Sequence, residues 1–249
     1  MARQSTRPHA VAERWEPERP GARATKDIVD AIVEPDWGGA RVVAAITPDE
    51  AALYARGVAI EAPEELLRAL LEAFTAVDAV IAGNLTTEAF RTGEGAYQKP
   101  PPVERPPLLV PKVFRHSVED DPFVLSREQS AARDALEPIV LEALRDGERH
   151  AFVATDLLYL DGEPLDDVPL LERKRLLETI LEPSELVRVS PFVKPSAKLT
   201  LVTWGVLGFA TLSWRSVNSR YLAGQANPDV AVGRSPMSPL AGTKPPKPR

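Results

Sequence analysis

Phe152-Val153-Ala154-Thr155-Asp156-Leu157-Leu158-Tyr159-Leu160 is the stretch on which the fold turns. Seven of its nine residues are apolar, and aromatic and β-branched side chains recur in it, so it reads as a buried strand. Asp161-Gly162 supplies the turn that ends it. Asp167, two residues before Pro169, predicts a capped helix start. The helix then runs from Leu170 to Leu181, with Leu170, Leu171, Leu176, Leu177, Ile180 and Leu181 as its apolar stripe. A strand, a tight turn and a helix packed back on it make an α/β unit.

Working upstream, Arg41-Val42-Val43-Ala44-Ala45-Ile46 has the composition of a strand. It follows the turn-forming run Glu34-Pro35-Asp36-Trp37-Gly38-Gly39. Residues 52–55 and 58–60 predict two short strands around Arg56-Gly57. Pro63-Glu64-Glu65 opens a helix whose first turn is acidic, and Ala79-Val80-Ile81-Ala82 reads as a further buried strand. Downstream, Leu199–Trp214 is the longest run without a charge. It predicts a helix end followed by a strand over Thr211–Arg215.

Proline punctuates the rest. The chain holds 25 prolines in 249 residues, and they cluster between Thr92 and Pro122 and again after Gly233. Such runs favour extended geometry over a packed core. Residues 126–144 return to helical periodicity. The expected organisation is therefore a flexible arm over 1–26, one domain over 27–232 with a proline-rich insert at 92–122, and a disordered basic tail over 233–249.

Composition narrows the chemistry. With no cysteine there are no disulfides, thiolate metal sites or cysteine nucleophiles. Three histidines leave little for a histidine-built metal centre, and no metal ligands are assigned. A formal net charge of −6 excludes a globally basic nucleic-acid coat but allows a local basic groove. Leu199–Trp214 has sixteen residues, against about 20 for a membrane span, and no apolar leader opens the chain. These features predict a soluble, cytoplasmic protein with no membrane partner.

The strand at 152–160 and the following Pro169-Leu-Leu-Glu-Arg-Lys-Arg-Leu-Leu resemble the nucleotidyltransferase domain of ATP-dependent DNA ligases. Other stretches fall in that family's order. Residues 34–41 resemble the nucleophile motif "EPKWDGxR", Leu53–Gly57 resembles "LxSRxG", and Val80–Leu85 resembles "vLDGEl". Ala210–Arg215 aligns with "EGvvaK", and Asn218–Gly224 resembles the "dSxYxpG" stretch after it. The resemblance implies an α+β, ATP-grasp-like domain of antiparallel sheets packed with helices. Too little chain remains for the oligonucleotide-binding barrel that usually follows.

In that family a lysine amine attacks the α-phosphate of ATP and carries AMP to a DNA 5′-phosphate. Such covalent catalysis needs a nucleophilic nitrogen, and here the position holds Asp36. Gly38 stands for the motif aspartate, Ala82 and Asn84 for the acids of "DGE", and Thr155 for the aromatic residue under adenine. Ala210 replaces the metal-holding glutamate and Arg215 the lysine of the fourth motif. No catalytic residue is assigned. By resemblance, Arg41, Arg56, Asp156 and Arg215 are the nucleotide-binding candidates. ATP and Mg2+ are the cofactors if the family activity survives, and DNA or a repair protein is the implied partner. The expectation is a ligase-like protein impaired in self-adenylation. The alternatives are an active ligase with a rearranged site or a separate subunit, and a scaffold recruiting partners through its proline-rich segments.

Overall fold

Alternation along Ala40–Ile46 sorts the molecule into two layers. Ala40, Val42, Ala44 and Ile46 enter one apolar core, while Val43 and Ala45 enter another on the opposite face. That is the period of two expected of a strand buried on both sides. A computed structural model describes residues 8–87 and 150–236.

Among these residues the strands are β1 (Arg19–Pro20), β2 (Ala31–Pro35), β3 (Ala40–Ile46), β4 (Ala51–Ala55), β5 (Val58–Ile60) and β6 (Ala79–Thr86). They continue with β7 (Ala151–Leu160), β8 (Glu163–Pro164), β9 (Val187–Val189), β10 (Thr211–Ser216), β11 (Ala226–Asn227) and β12 (Val230–Arg234). The helices are α1 (Pro8–Ala12), α2 (Glu64–Ala73), α3 (Leu170–Ile180) and α4 (Lys198–Val206).

The larger sheet runs β5-β4-β3-β6-β7-β8, antiparallel throughout, with β9 added parallel to β7. A second antiparallel sheet has the order β12-β10-β2, and β1 pairs with β11 in a short parallel ribbon. One face of the larger sheet is sealed by Leu66 and Leu70 of α2 and by Leu177 and Ile180 of α3. The other face packs Val43, Val80 and Tyr159 against Ala12, Trp15 and Tyr221. A third apolar cluster joins Val33, Trp37 and Leu212 to Leu201 and Trp204 of α4, fixing the second sheet beside the first. This is the α+β architecture of antiparallel sheets and helices that the motif order implies.

β7 departs from regular pairing twice. Its register against β6 slips between Ala82 and Gly83 and between Val80 and Ile81, which leaves Thr155 and Leu158 without a Cα partner. Bulges of this kind redirect side chains. Here the first one presents both Thr155 and its neighbour Asp156 to the same side of the sheet.

Two boundaries differ from the sequence expectation. Residues 8–26 do not behave as a flexible arm: α1 and Trp15 belong to a buried cluster, and β1 pairs with β11. The segment is charged and lacks a periodic stripe, so its order comes from a few long-range contacts rather than from a local pattern. At the other end β12 continues to Arg234, and the Ser235 amide donates to the Ala210 carbonyl, so pairing passes the expected boundary at 233. Asp167 makes no cap: Pro169 occupies the N-cap position of α3 without a side-chain hydrogen bond. The proline-rich insert, the periodic run at 126–144 and the end of the tail lie outside the described residues. No helix among the described residues is long and apolar enough to cross a membrane.

Candidate functional site

A cleft of about 420 Å3 lies between the second sheet and the face of the larger sheet that α2 and α3 leave uncovered. The larger sheet contributes Arg41, Ala82, Gly83, Asn84, Thr155 and Asp156. Opposite them stand Glu34 of β2, then Thr211, Ser213 and Arg215 of β10. The turn Asp36–Gly39 closes one end, while Trp15, Glu18 and Pro20 from the N-terminal segment lie along another side with Tyr221.

The turn is held by backbone geometry that glycine permits. Gly39 has φ +72°, and a Cβ there would lie 2.3 Å from the Leu85 carbonyl oxygen. Gly38 has φ +61° with open space around it, so its backbone conformation rather than contact sets the preference. The Asn84 side-chain amide donates to the Gly38 carbonyl at 2.8 Å, and the Thr86 hydroxyl donates to the Trp37 carbonyl at 3.1 Å. Trp37 itself points into the core. Its ring meets Phe209 edge-on at 5.0 Å, and its Nε1 donates to Ser190 Oγ at 2.9 Å.

Asp36 therefore sits at the cleft with its position tied to β10. Its amide donates to the Thr211 carbonyl at 3.1 Å, and the Thr211 hydroxyl donates to Asp36 Oδ2 at 2.7 Å. No lysine lines the cleft among the described residues. Thr155 turns its hydroxyl onto the Ala82 carbonyl at 3.2 Å and offers no aromatic face.

Glu18, Glu34, Asp156 and Arg215 of the lining join Arg173 and Lys174 behind it in a buried charge network. Asp156 accepts a two-pronged bond from Arg173 of α3, Nε to Oδ1 at 2.7 Å and Nη2 to Oδ2 at 2.8 Å. Arg215 Nη2 also donates to Asp156 Oδ2, and to Glu18 Oε1 at 3.1 Å. Arg215 Nη1 lies 3.7 Å from Glu34 Oε2, and Lys174 pairs with Glu34 Oε1. Glu18 Oε2 accepts from the Asn227 side-chain amide at 2.8 Å and the Leu222 amide at 3.2 Å. Three carboxylates thus face three cations, all buried.

The electrostatics follow from the pairing. Burial alone would raise Asp156, but Arg215 and then Arg173 hold its carboxyl far below the usual carboxylate range. Burial disfavours charge on Arg215, and Asp156, Glu18 and Glu34 more than restore it. Burial pushes the Lys174 ammonium down, against the pull of Glu34. Tyr221 is raised by burial, while Arg41 acts in the opposite direction. Its hydroxyl accepts from Trp15 Nε1 at 2.7 Å.

Of the four candidate nucleotide contacts, Arg41, Asp156 and Arg215 come to one cleft. Arg56 stands apart, in the β4–β5 turn at φ +49° and outside the lining. Asp156 and Arg215 are committed to ion pairs. The partners that sequence reasoning passed over are Glu18, Arg173 and Lys174. Arg173 and Lys174 carried a signal: they lie three and four residues after Leu170, on the inward stripe of α3, where Leu176 was expected but is exposed. A charge on an apolar stripe points to a buried partner.

A magnesium ion does not fit these residues. The carboxylates Glu18, Glu34 and Asp156 are already neutralised by arginine and lysine, and Ala210, which the resemblance aligns with a metal-holding glutamate, has no side-chain ligand atom. Among the described residues no group of three or more His, Cys, Asp or Glu is arranged to hold a metal.

No protein-family model matches the sequence, and no curated protein matches it. Solved structures do match. The ligase domain of LigD from M. tuberculosis superposes with a TM-score of 0.56 at 17% identity, covering 89% of this chain and 60% of that one. A mycobacterial DNA ligase D complexed with ATP and MES gives 0.55 at 16% identity, covering 88% of this chain and 59% of the other. The chain thus spans about 60% of the length of these neighbours, and at this identity the likeness is one of fold. The chain shares the α+β fold of these two ligase structures.

Proposed function

We propose that this chain is a DNA-ligase-like protein impaired in self-adenylation, whose cleft recognises a phosphate-bearing ligand, a nucleotide or a DNA end, without forming a covalent AMP adduct. The observation that carries the reading is the acid at the nucleophile position. Asp36 faces the cleft, hydrogen-bonded to Thr211, and the lining holds no amine among the described residues. A carboxylate there repels a triphosphate, and any acyl phosphate it formed would be a labile mixed anhydride. Phosphoryl transfer relies on positioned cations and charge stabilisation. Here two buried cations of the network are spent on Asp156, and the third sits against Glu34. Arg41, the Asn84 amide and the Ser213 hydroxyl supply polar groups for recognition.

The reading is tested by incubating the protein with ATP labelled in its α-phosphate and with magnesium, then denaturing it. No retained label is expected, and stoichiometric label would contradict it. One observation favours the active-ligase alternative: Lys174 is buried directly beside the cleft residue Glu34 and has a lowered pKa, as an activated amine would. If label is retained, its loss in Lys174→Arg assigns it to that amine. A separate fluorescence titration with a nicked duplex, in the absence of ATP, checks the DNA side of the proposal.

A further inference from the structure

We propose that the segment Trp15–Gly21 is a strap that closes the cleft, with the Glu18 carboxylate seated on Arg215 in place of a ligand's anionic group. The inference rests on the reading of the cleft as a site for phosphate-bearing ligands.

Of the three carboxylates in the network, Glu34 and Asp156 belong to the paired strands β2 and β7, so neither leaves without breaking a sheet. Glu18 is different. It precedes a two-residue ribbon, β1 with β11, in which the Arg19 amide donates to the Gln225 carbonyl at 2.8 Å. Beyond that ribbon the strap is tied through its backbone by the Gly21 amide to the Val230 carbonyl at 2.9 Å and the Gly224 amide to the Glu16 carbonyl at 3.3 Å. Side chains tie it by Trp15 to Tyr221, by Arg19 Nη2 to the Gly224 carbonyl at 2.8 Å and by Arg41 Nη1 to the Glu18 carbonyl at 2.8 Å. The Tyr221 hydroxyl also donates to the Glu16 carbonyl and accepts from the Glu18 amide, at 3.4 Å each. A short segment held by so few backbone bonds opens at lower cost than a sheet core.

The seat is nonetheless specific. Both oxygens of Glu18 are occupied, by Arg215 on one side and by Asn227 and the Leu222 amide on the other. Arginine, amide nitrogen and backbone N–H are also the donors that bind phosphate oxygens. Arg215 lies on the cleft and keeps its Nε without a hydrogen-bond partner. With Glu18 in place the network has three positive and three negative groups. Removing Glu18 leaves one positive charge in excess beside the cleft. The strap therefore competes with an incoming anion for the same guanidinium, and ligand binding and strap release are linked.

The probe is inorganic pyrophosphate, titrated calorimetrically into the full chain, Glu18→Gln and Glu16→Gln. Glu16 is an exposed acid on the same strap and controls for net charge. Glu18→Gln is expected to bind about tenfold more tightly than the parent, a coupling of the size typical between linked sites, and Glu16→Gln is expected to match the parent. Equal binding by the parent and Glu18→Gln would overturn the proposal, as would an equal gain in Glu16→Gln. Should Glu18→Gln not fold, amide hydrogen exchange on the parent decides. Pyrophosphate is expected to accelerate exchange at Arg19 and Gly21, whose amides tie the strap to Gln225 and Val230, and unchanged or slowed exchange there would overturn it. Retention of AMP, which would contradict the proposed impairment, leaves this outcome untouched, so the two proposals fail separately.

Discussion

The two faces of the larger sheet are built on opposite principles. On the helix-covered face, β3, β6 and β7 meet α2 and α3 through alanine, valine, leucine and isoleucine, and close packing does the work. On the cleft face the same strands carry Arg41, Asn84, Thr155 and Asp156, and Asp156 belongs to a set of six paired, buried charged groups, four of which line the cleft. Apolar packing is non-directional and tolerates changes of similar volume. A buried ion network is directional: each member satisfies another, and its loss leaves a charge stranded. The fold is therefore maintained by packing on one face, while the other carries a polar cleft and a paired charge network.

The largest effect is expected at the centre of the network. Asp156→Ala strands the Arg173 guanidinium without its counter-ion, while Arg215 keeps Glu18 and Glu34, and should cost about 3–5 kcal/mol in urea unfolding. Replacing Asp156 and Arg173 together by apolar residues should recover part of that loss, because no charge is then stranded. If the double variant is no more stable than Asp156→Ala, the network is not the discriminating feature of this face. On the helix face, Leu70→Ala opens a cavity in a fully buried position and should cost about 2–5 kcal/mol, with no gain from any charged second change.

Acid should separate the faces again. The Asp156 carboxyl is held far below its value in an unfolded chain, chiefly by Arg215 and Arg173 working against burial. Its contribution is therefore fully present above about pH 4, the unfolded pKa, and is lost as pH falls through the folded value. The melting temperature of the parent should drop as pH is lowered below that point. Asp156→Asn should show a shallower drop, although from a lower start. Parallel curves would mean that other carboxylates dominate acid unfolding. The smallest effect belongs to the cleft rim. Thr211→Val removes the hydrogen bond to the exposed Asp36 and should cost about 0.5–1.5 kcal/mol or less by chemical denaturation.

Legibility in the sequence divided along the same line. β3, β6, β7, α2 and α3 were readable because apolar spacing records burial directly, although β6 runs on to Thr86, four residues past the expected Ala82. The motif order also brought Arg41, Asp156 and Arg215 to one cleft. The bulge at Thr155 was not readable, since a slip of one residue arises from pairing between strands rather than from composition. Glu18 was not readable either. It lies in a charged segment with no periodicity, and its burial depends on Arg215 and Asn227, roughly two hundred positions away in the chain. Arg56 was carried by its motif alone, and the hairpin it sits in turns away from the cleft lining.

The central claim is that the cleft lacks a working nucleophile and that its other substitutions reinforce the loss. The most direct measurement is intact-protein mass spectrometry of the parent and of Asp36→Lys after incubation with ATP and magnesium. Groups that act together are strongly non-additive, so one restored amine among several missing groups should recover almost nothing. Asn84, Thr155 and Ala210 remain unrepaired in that variant. The account predicts no AMP adduct on either protein. An adduct on Asp36→Lys would show that the site is intact apart from its nucleophile, and an adduct on the parent would show that the chain self-adenylates and contradict the account outright.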